Sequence, residues 1–174
     1  MLVKKIERVI SLSLPVLSLF LRPAFCQDIG AAPVDVQVAI FLKLLAFDKN
    51  ISAGGSITVY VVGSHDFAEA MKKALGKAVG ASTIGNVSEG SGAPSEKPSA
   101  VYIGTESVLA QMLSYTTANK VVSMTGVPEL AQKGVTLTVG VSDGKPKILL
   151  NISASKDEGI EWNPAILKVA AMLK

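Results

Sequence analysis

The 174-residue chain predicts an α/β fold, a single domain whose mainly parallel sheet is flanked by helices and carries an antiparallel C-terminal hairpin. Three observations predict it. Short β-branched runs alternate with segments of helical period, as in βαβ units. Asp143-Gly144 stands between two apolar runs, a strong hairpin signal. The length suits one domain with a substantial core, since ~100–200 residues is the usual domain size.

Residues 1–26 read as a signal peptide, which leaves 27–174 as the α/β domain. Lys4, Lys5 and Arg8 form a positive start, and an apolar run from Val9 to Leu21 follows, broken by Ser11, Ser13, Pro15 and Ser18. That run is shorter than the ~20 apolar residues a spanning helix needs. Small residues around Pro23-Ala24-Phe25-Cys26 then suit cleavage before Gln27. The expected location is the periplasm. Lipid anchoring at Cys26 is the less favoured alternative, because Phe25 stands where a small residue is wanted.

The whole chain has a net charge of +3, with 17 basic and 14 acidic residues. Four of the basic residues and only Glu7 of the acidic ones fall in the leader. From Gln27 onward the balance is 13 against 13, so the electrostatic case for a nucleic-acid partner disappears. The lone Cys excludes a disulfide framework and a cysteine-rich zinc site, and the lone His argues against a multi-histidine metal site. No cofactor motif is visible.

After Gly30 to Pro33, the spacing of Val34, Val38, Phe41, Leu42 and Leu45 predicts an amphipathic helix over 34–47. Ser56 to Val62 is a buried-type strand. Gly63-Ser64-His65-Asp66 leads into a helix near 66–78, with Ser64 or Asp66 as its cap. Ser82 to Val87 is a weak strand and Glu89 to Pro98 a surface loop. Ala100 to Ile103 is a strand, and Gly104-Thr105-Glu106 opens the next helix. Lys120 to Met124 is a strand, followed by a short helical piece at 128–132. Strands at 134–141 and 147–150 flank the hairpin turn, and helices are expected over 151–157 and 163–173.

In such a sheet, ligands bind beyond the strand carboxyl ends, where loops meet helix N-termini. The segments there are Gly63-Ser64-His65-Asp66, Gly104-Thr105-Glu106-Ser107 and Thr125-Gly126-Val127. They nominate Ser64, His65, Thr105, Glu106 and Thr125 as ligand-binding candidates. The same residue types also make ordinary caps and turns. His65 lacks any sequence sign of a nucleophile and an orienting carboxylate, so a catalytic role is not assigned. Trp162 and Ile166, near an unusually apolar C-terminal segment, are candidates for a partner or dimer surface.

The order of these segments resembles the YfiR-like family of exported bacterial proteins. The residues that carry the resemblance begin with the helix Val38 to Phe47 and the stretch Val59-Tyr60-Val61-Val62-Gly63-Ser64-His65-Asp66-Phe67. They continue with Val101-Tyr102-Ile103-Gly104, and with Lys147 to Asn151 followed by a short helix and Gly159-Ile160. The chain departs from the family at Asp48-Lys49, where an aromatic-Pro pair commonly stands. It also departs at Gly134, which replaces paired glycines, and in lacking the cysteines of some members. The resemblance implies a non-enzymatic periplasmic module, likewise dimeric. Such a module binds the periplasmic part of an inner-membrane signalling protein, a diguanylate cyclase or a sensor kinase, and modulates it. The competing expectation is a periplasmic protein that captures a small ligand in the strand-end loops.

Overall fold

The computed structural model describes residues 29–173, so the leader and Cys26 lie outside the described residues. At the centre runs β2 (Gly55–Val62), a β-branched stretch whose alternation sends Val59 and Val61 to one face and Tyr60 and Val62 to the other. Burial on both faces is what a parallel strand between two helical layers requires. Its parallel neighbours are β4 (Ser82–Gly90) and β5 (Ala100–Ile103). Beyond β5, the parallel pairing continues through β6 (Val122–Thr125) to β7 (Leu137–Ser142). The hairpin then adds β8 (Lys145–Asn151) antiparallel to β7, with Asp143 and Gly144 both at positive φ as a two-residue turn demands.

One layer consists of α1 (Val34–Leu45) and α2 (His65–Lys72), which bury Phe41, Leu44, Leu45, Phe67 and Met71 against the sheet. The other is α3 (Leu109–Asn119) with a 3-10 turn at Pro128–Lys133, burying Leu109, Met112 and Leu130. Two short strands, β1 (Gly30–Ala31) on β7 and β3 (Ala78–Val79) on β4, add antiparallel pairs. The fold is therefore the expected mixed, mainly parallel α/β sheet. Among the described residues, no helix is long and apolar enough to cross a membrane.

The sheet makes one local accommodation in β4. Ile57 pairs with Ile84 but Thr58 with Asn86, so Gly85 is the extra residue of a bulge. A Cβ at Gly85 would strike the Ser56 hydroxyl, so a larger residue there requires that side chain to turn aside.

Several boundaries differ from the sequence expectation, each for a physical reason. The second helix ends at Lys72 rather than near 78, because Gly76 turns at positive φ and Ala78–Val79 is drawn into pairing with β4. β4 runs on to Gly90 because β2 offers it a parallel partner as far as Val62. The largest departure is at the C-terminus, where a helix was expected over 163–173. Instead Pro164–Lys168 forms a 3-10 turn, capped by Asn163 Oδ1 accepting from Ala165 N. Ala171–Leu173 then becomes β9, parallel to β8. The unpaired backbone of β8 outcompetes one more helical turn, since a strand against an open sheet edge satisfies groups on both chains. α4 (Ile152–Asp157) matches expectation, with Asn151 Oδ1 accepting from Ala154 N as its cap.

Candidate functional site

The three glycine-bearing loops do converge beyond the carboxyl ends of β2, β5 and β6, but they pack against one another. A Cβ on Gly104 would lie 2.5 Å from the Gly63 carbonyl oxygen and 2.6 Å from Ser64 Cβ. The first two loops therefore fill the space between them. A Cβ on Gly126 would run into the Gln37 amide. That amide, from α1, seals the third loop.

Gln37 organises a buried polar chain. Its Nε2 donates to Ala32 O at 2.7 Å, and its Oε1 accepts from the Tyr102 hydroxyl at 2.8 Å. The Tyr102 oxygen in turn accepts from Gly126 N at 3.2 Å. Burial pushes the Tyr102 hydroxyl up to about 12, against the opposing effect of the Gly126 amide. The ring of Tyr102 stacks on Phe67, with centroids 3.6 Å apart, and Phe41 meets both edge-on. Gln37 reads in the sequence as one of three polar residues on an amphipathic helix, beside Asp35 and Lys43, and no local pattern marks it out from them.

Each nominated residue has a local partner. Ser64 Oγ accepts from Phe67 N at 3.4 Å as the α2 cap. His65 is exposed, and its Nδ1 stands 3.0 Å from Glu89 Oε2. The carboxylate raises the ring above its ordinary pKa. Thr105 Oγ1 is 3.3 Å from Ser107 Oγ, and Glu106 pairs with Lys133 at the surface. Thr125 is buried, donating to Ile103 O at 2.6 Å and accepting from Val127 N at 3.0 Å. These contacts belong to caps and turns, the plainer of the two readings the residues allow.

At the C-terminus the two surface candidates part company. Ile166 is fully buried in the core beneath the 3-10 turn, so its side chain offers nothing to a partner. This corrects the sequence expectation. In a helix Ile166 could have shared an outer face, but the 3-10 turn rotates it inward and exposes its neighbours. Leu167, Val169 and Met172 are 49%, 50% and 57% exposed. Trp162 is half-buried, donates through Nε1 to Ser155 Oγ, and bridges the Asp48 backbone. β9, beside this patch, ends the sheet and leaves one strand edge without a partner among the described residues.

A second polar cluster lies under α4. Glu158 is 1% exposed, and its Oε2 accepts from Ser123 N at 3.0 Å and Thr136 Oγ1 at 2.6 Å. Its Oε1 has no partner. Burial raises its pKa even against these donors. Among the described residues, no group of three His, Cys, Asp or Glu is placed to hold a metal ion.

Among the clefts that indent the described surface, three stand out, and none of those three is lined by Ser64, His65, Thr105, Glu106 or Thr125. One, of about 410 Å³, opens at the amino ends of β2, β5 and β6. The second lies beneath the 91–98 loop, and the third lies beside α4.

A family model described as YfiR/HmsC-like matches residues 35–171. Among solved structures, the chain is similar to a conserved domain protein from Vibrio cholerae O1 biovar El Tor. The TM-score is 0.57 at 17% identity, over 83% of this chain and 61% of that one, so the chain spans less than two thirds of that protein's length. The likeness concerns the fold. No curated protein matches.

Proposed function

The chain belongs to the YfiR/HmsC-like family, a family of periplasmic regulators of signalling, and from that premise we propose that it binds and modulates the periplasmic part of an inner-membrane signalling protein. A diguanylate cyclase or a sensor kinase is the expected partner class. The observation that carries this reading is the family match over residues 35–171, which takes in nearly every element from α1 to β9. We assign it no catalytic step and a role as a dimer. The contact surface we place at Trp162, Leu167, Val169 and Met172, where half-exposed apolar side chains flank the free edge of β9. Exposed apolar groups rimmed by polar ones are what protein contact surfaces are made of.

The test is genetic and quantitative. Deletion is expected to change cyclic-di-GMP or kinase output, and the wild-type chain to restore it. A double Leu167→Glu, Val169→Glu variant is expected to fold normally and fail to restore it. Unchanged output in the deletion strain would overturn the regulatory reading. Full restoration by the double variant would overturn the surface assignment alone.

A further inference from the structure

The methionines of this chain are unevenly placed. Of the five, Met71, Met112 and Met124 are 0% exposed within the core, whereas Met172 is 57% exposed. Met1, like Cys26, lies outside the described residues. Met172 is therefore the one sulfur-bearing residue among the described residues that stands open to solvent. The buried three sit on separate elements, Met71 in α2, Met112 in α3 and Met124 in β6. A dissolved oxidant reaches each of them only through a local opening of the fold.

The surroundings of Met172 give its sulfur more than ordinary weight. It is the middle residue of β9, paired with Leu150 of β8 where the sheet ends. Leu167, Val169 and Met172 are three of the four large hydrophobic side chains left exposed among the described residues, the fourth being Leu75. The apolar surface is thus concentrated in one short segment that ends at this methionine. Oxidation turns a polarizable thioether into a polar sulfoxide with a strong acceptor oxygen and a chiral sulfur. At Met172 the new oxygen meets water, so the fold has no unpaired polar group to bury. At Met71, Met112 or Met124 it would stand in the core without a donor.

We propose that Met172 is a site of reversible oxidation by peroxides, and that its sulfoxide form weakens docking through the patch of Leu167, Val169 and Met172. In the oxidation a sulfur lone pair attacks one oxygen of hydrogen peroxide and the S–O bond forms. The O–O bond breaks, and the departing hydroxide takes the proton from the transferred oxygen and leaves as water. The thioether loses two electrons and the peroxide gains them, so no third reactant is needed. In the return step two thiols supply two electrons and two protons through a methionine sulfoxide reductase, giving the thioether, a disulfide and water. The family is periplasmic, outside the thiol pool that keeps cytosolic proteins reduced. The chemistry at Met172 does not depend on the proposed regulatory reading, whereas its effect on docking rests on that reading.

Peptide mapping by mass spectrometry of the full chain in hydrogen peroxide tests the site. Met172 is expected to gain one oxygen at least about tenfold faster than Met71, Met112 and Met124, which react only when the fold opens. The thermal midpoint is expected to hold while Met172 alone oxidises. Methionine sulfoxide reductases with dithiothreitol are expected to remove the oxygen, and Met172→Leu to abolish the fast phase. Oxidation of Met172 no faster than that of the buried three, or a thermal midpoint that falls in step with it, would overturn the proposal. For docking, Met172→Gln imitates the polar sulfoxide. It is expected to keep the wild-type thermal midpoint and to restore signalling output in the deletion strain several-fold less than wild type. Restoration at the wild-type level would remove the effect on docking and leave the regulatory reading standing. A deletion without any change in output would remove the regulatory reading and the docking effect together, while the mapping still decides whether Met172 is the site.

Discussion

Glu158 is where burial, hydrogen bonding and charge make the sharpest stability prediction. Its carboxylate closes the C-terminal end of α4 and reaches into the sheet, accepting from Ser123 N on β6 and from Thr136 Oγ1 beside β7. Because burial raises its pKa, the folded chain holds this proton more tightly than the unfolded chain, where the value is near 4.5. Stability from this group is therefore full below that value, falls as pH rises towards the folded value, and is level beyond it. Within the window the slope is at most about 1.4 kcal/mol per pH unit, the linkage slope for one proton. Glu158→Gln keeps an acceptor for both donors but has no proton to lose, so it removes this slope. Glu158→Ala strands both buried donors at about 1–3 kcal/mol each, offset in part by removal of the buried carboxyl, for a net loss of roughly 2–5 kcal/mol. Urea unfolding of wild type and both variants from pH 4.5 upward measures this. Asp48, whose pKa is also raised by burial, titrates in all three proteins, so the difference between curves isolates Glu158. A Gln variant running parallel to wild type at every pH would refute the reasoning.

Three further outcomes follow from the loops and their network. Gly104→Ala is expected to lower stability by about 1–3 kcal/mol in thermal melts, because the new Cβ meets fixed backbone at Gly63 rather than a yielding side chain. Tyr102→Phe strands Gln37 Oε1 and Gly126 N, costing about 1–3 kcal/mol. In ultraviolet titration the same variant should lose the phenol that ionises near 12. The His65 ring is expected to titrate above 6.5 by NMR and to return towards that value in Glu89→Gln. The sign follows from the raised value: the His65–Glu89 attraction is present at low pH and lost as pH rises through the folded pKa. A His65 titration unmoved by Glu89→Gln would exclude the ion pair as its cause.

Much of the fold was legible because its signals are local. A β-branched run between Gly55 and Gly63 has few alternatives to a buried strand. Ser64 ahead of an amphipathic stretch caps a helix wherever it is placed, and Asp143-Gly144 between apolar runs makes a two-residue turn by backbone sterics alone. The family resemblance rested on the same short segments, and the family match covers them. The surface site was less legible. Ile166, Leu167 and Val169 all read as helical apolar residues, and the choice of which one turns inward depends on a 3-10 geometry that Pro164 and the sheet edge impose together.

The sequence by itself determined the strand-helix order, the hairpin, the caps and the neutral charge of the chain beyond residue 26, since all of these depend on neighbours in the chain. Only the tertiary structure decided three other matters. It placed Gln37 over Gly126 and so closed the strand-end loops, across 89 residues of sequence. It buried Glu158, a residue type mostly found exposed, because Ser123 on β6 and Thr136 beside β7 arrive next to it. And it turned the last segment from helix into the edge strand β9, because β8 had an open ladder to fill. Each is a contact between residues distant in the chain, where the energy of burial and of satisfied hydrogen bonds outweighs local preference.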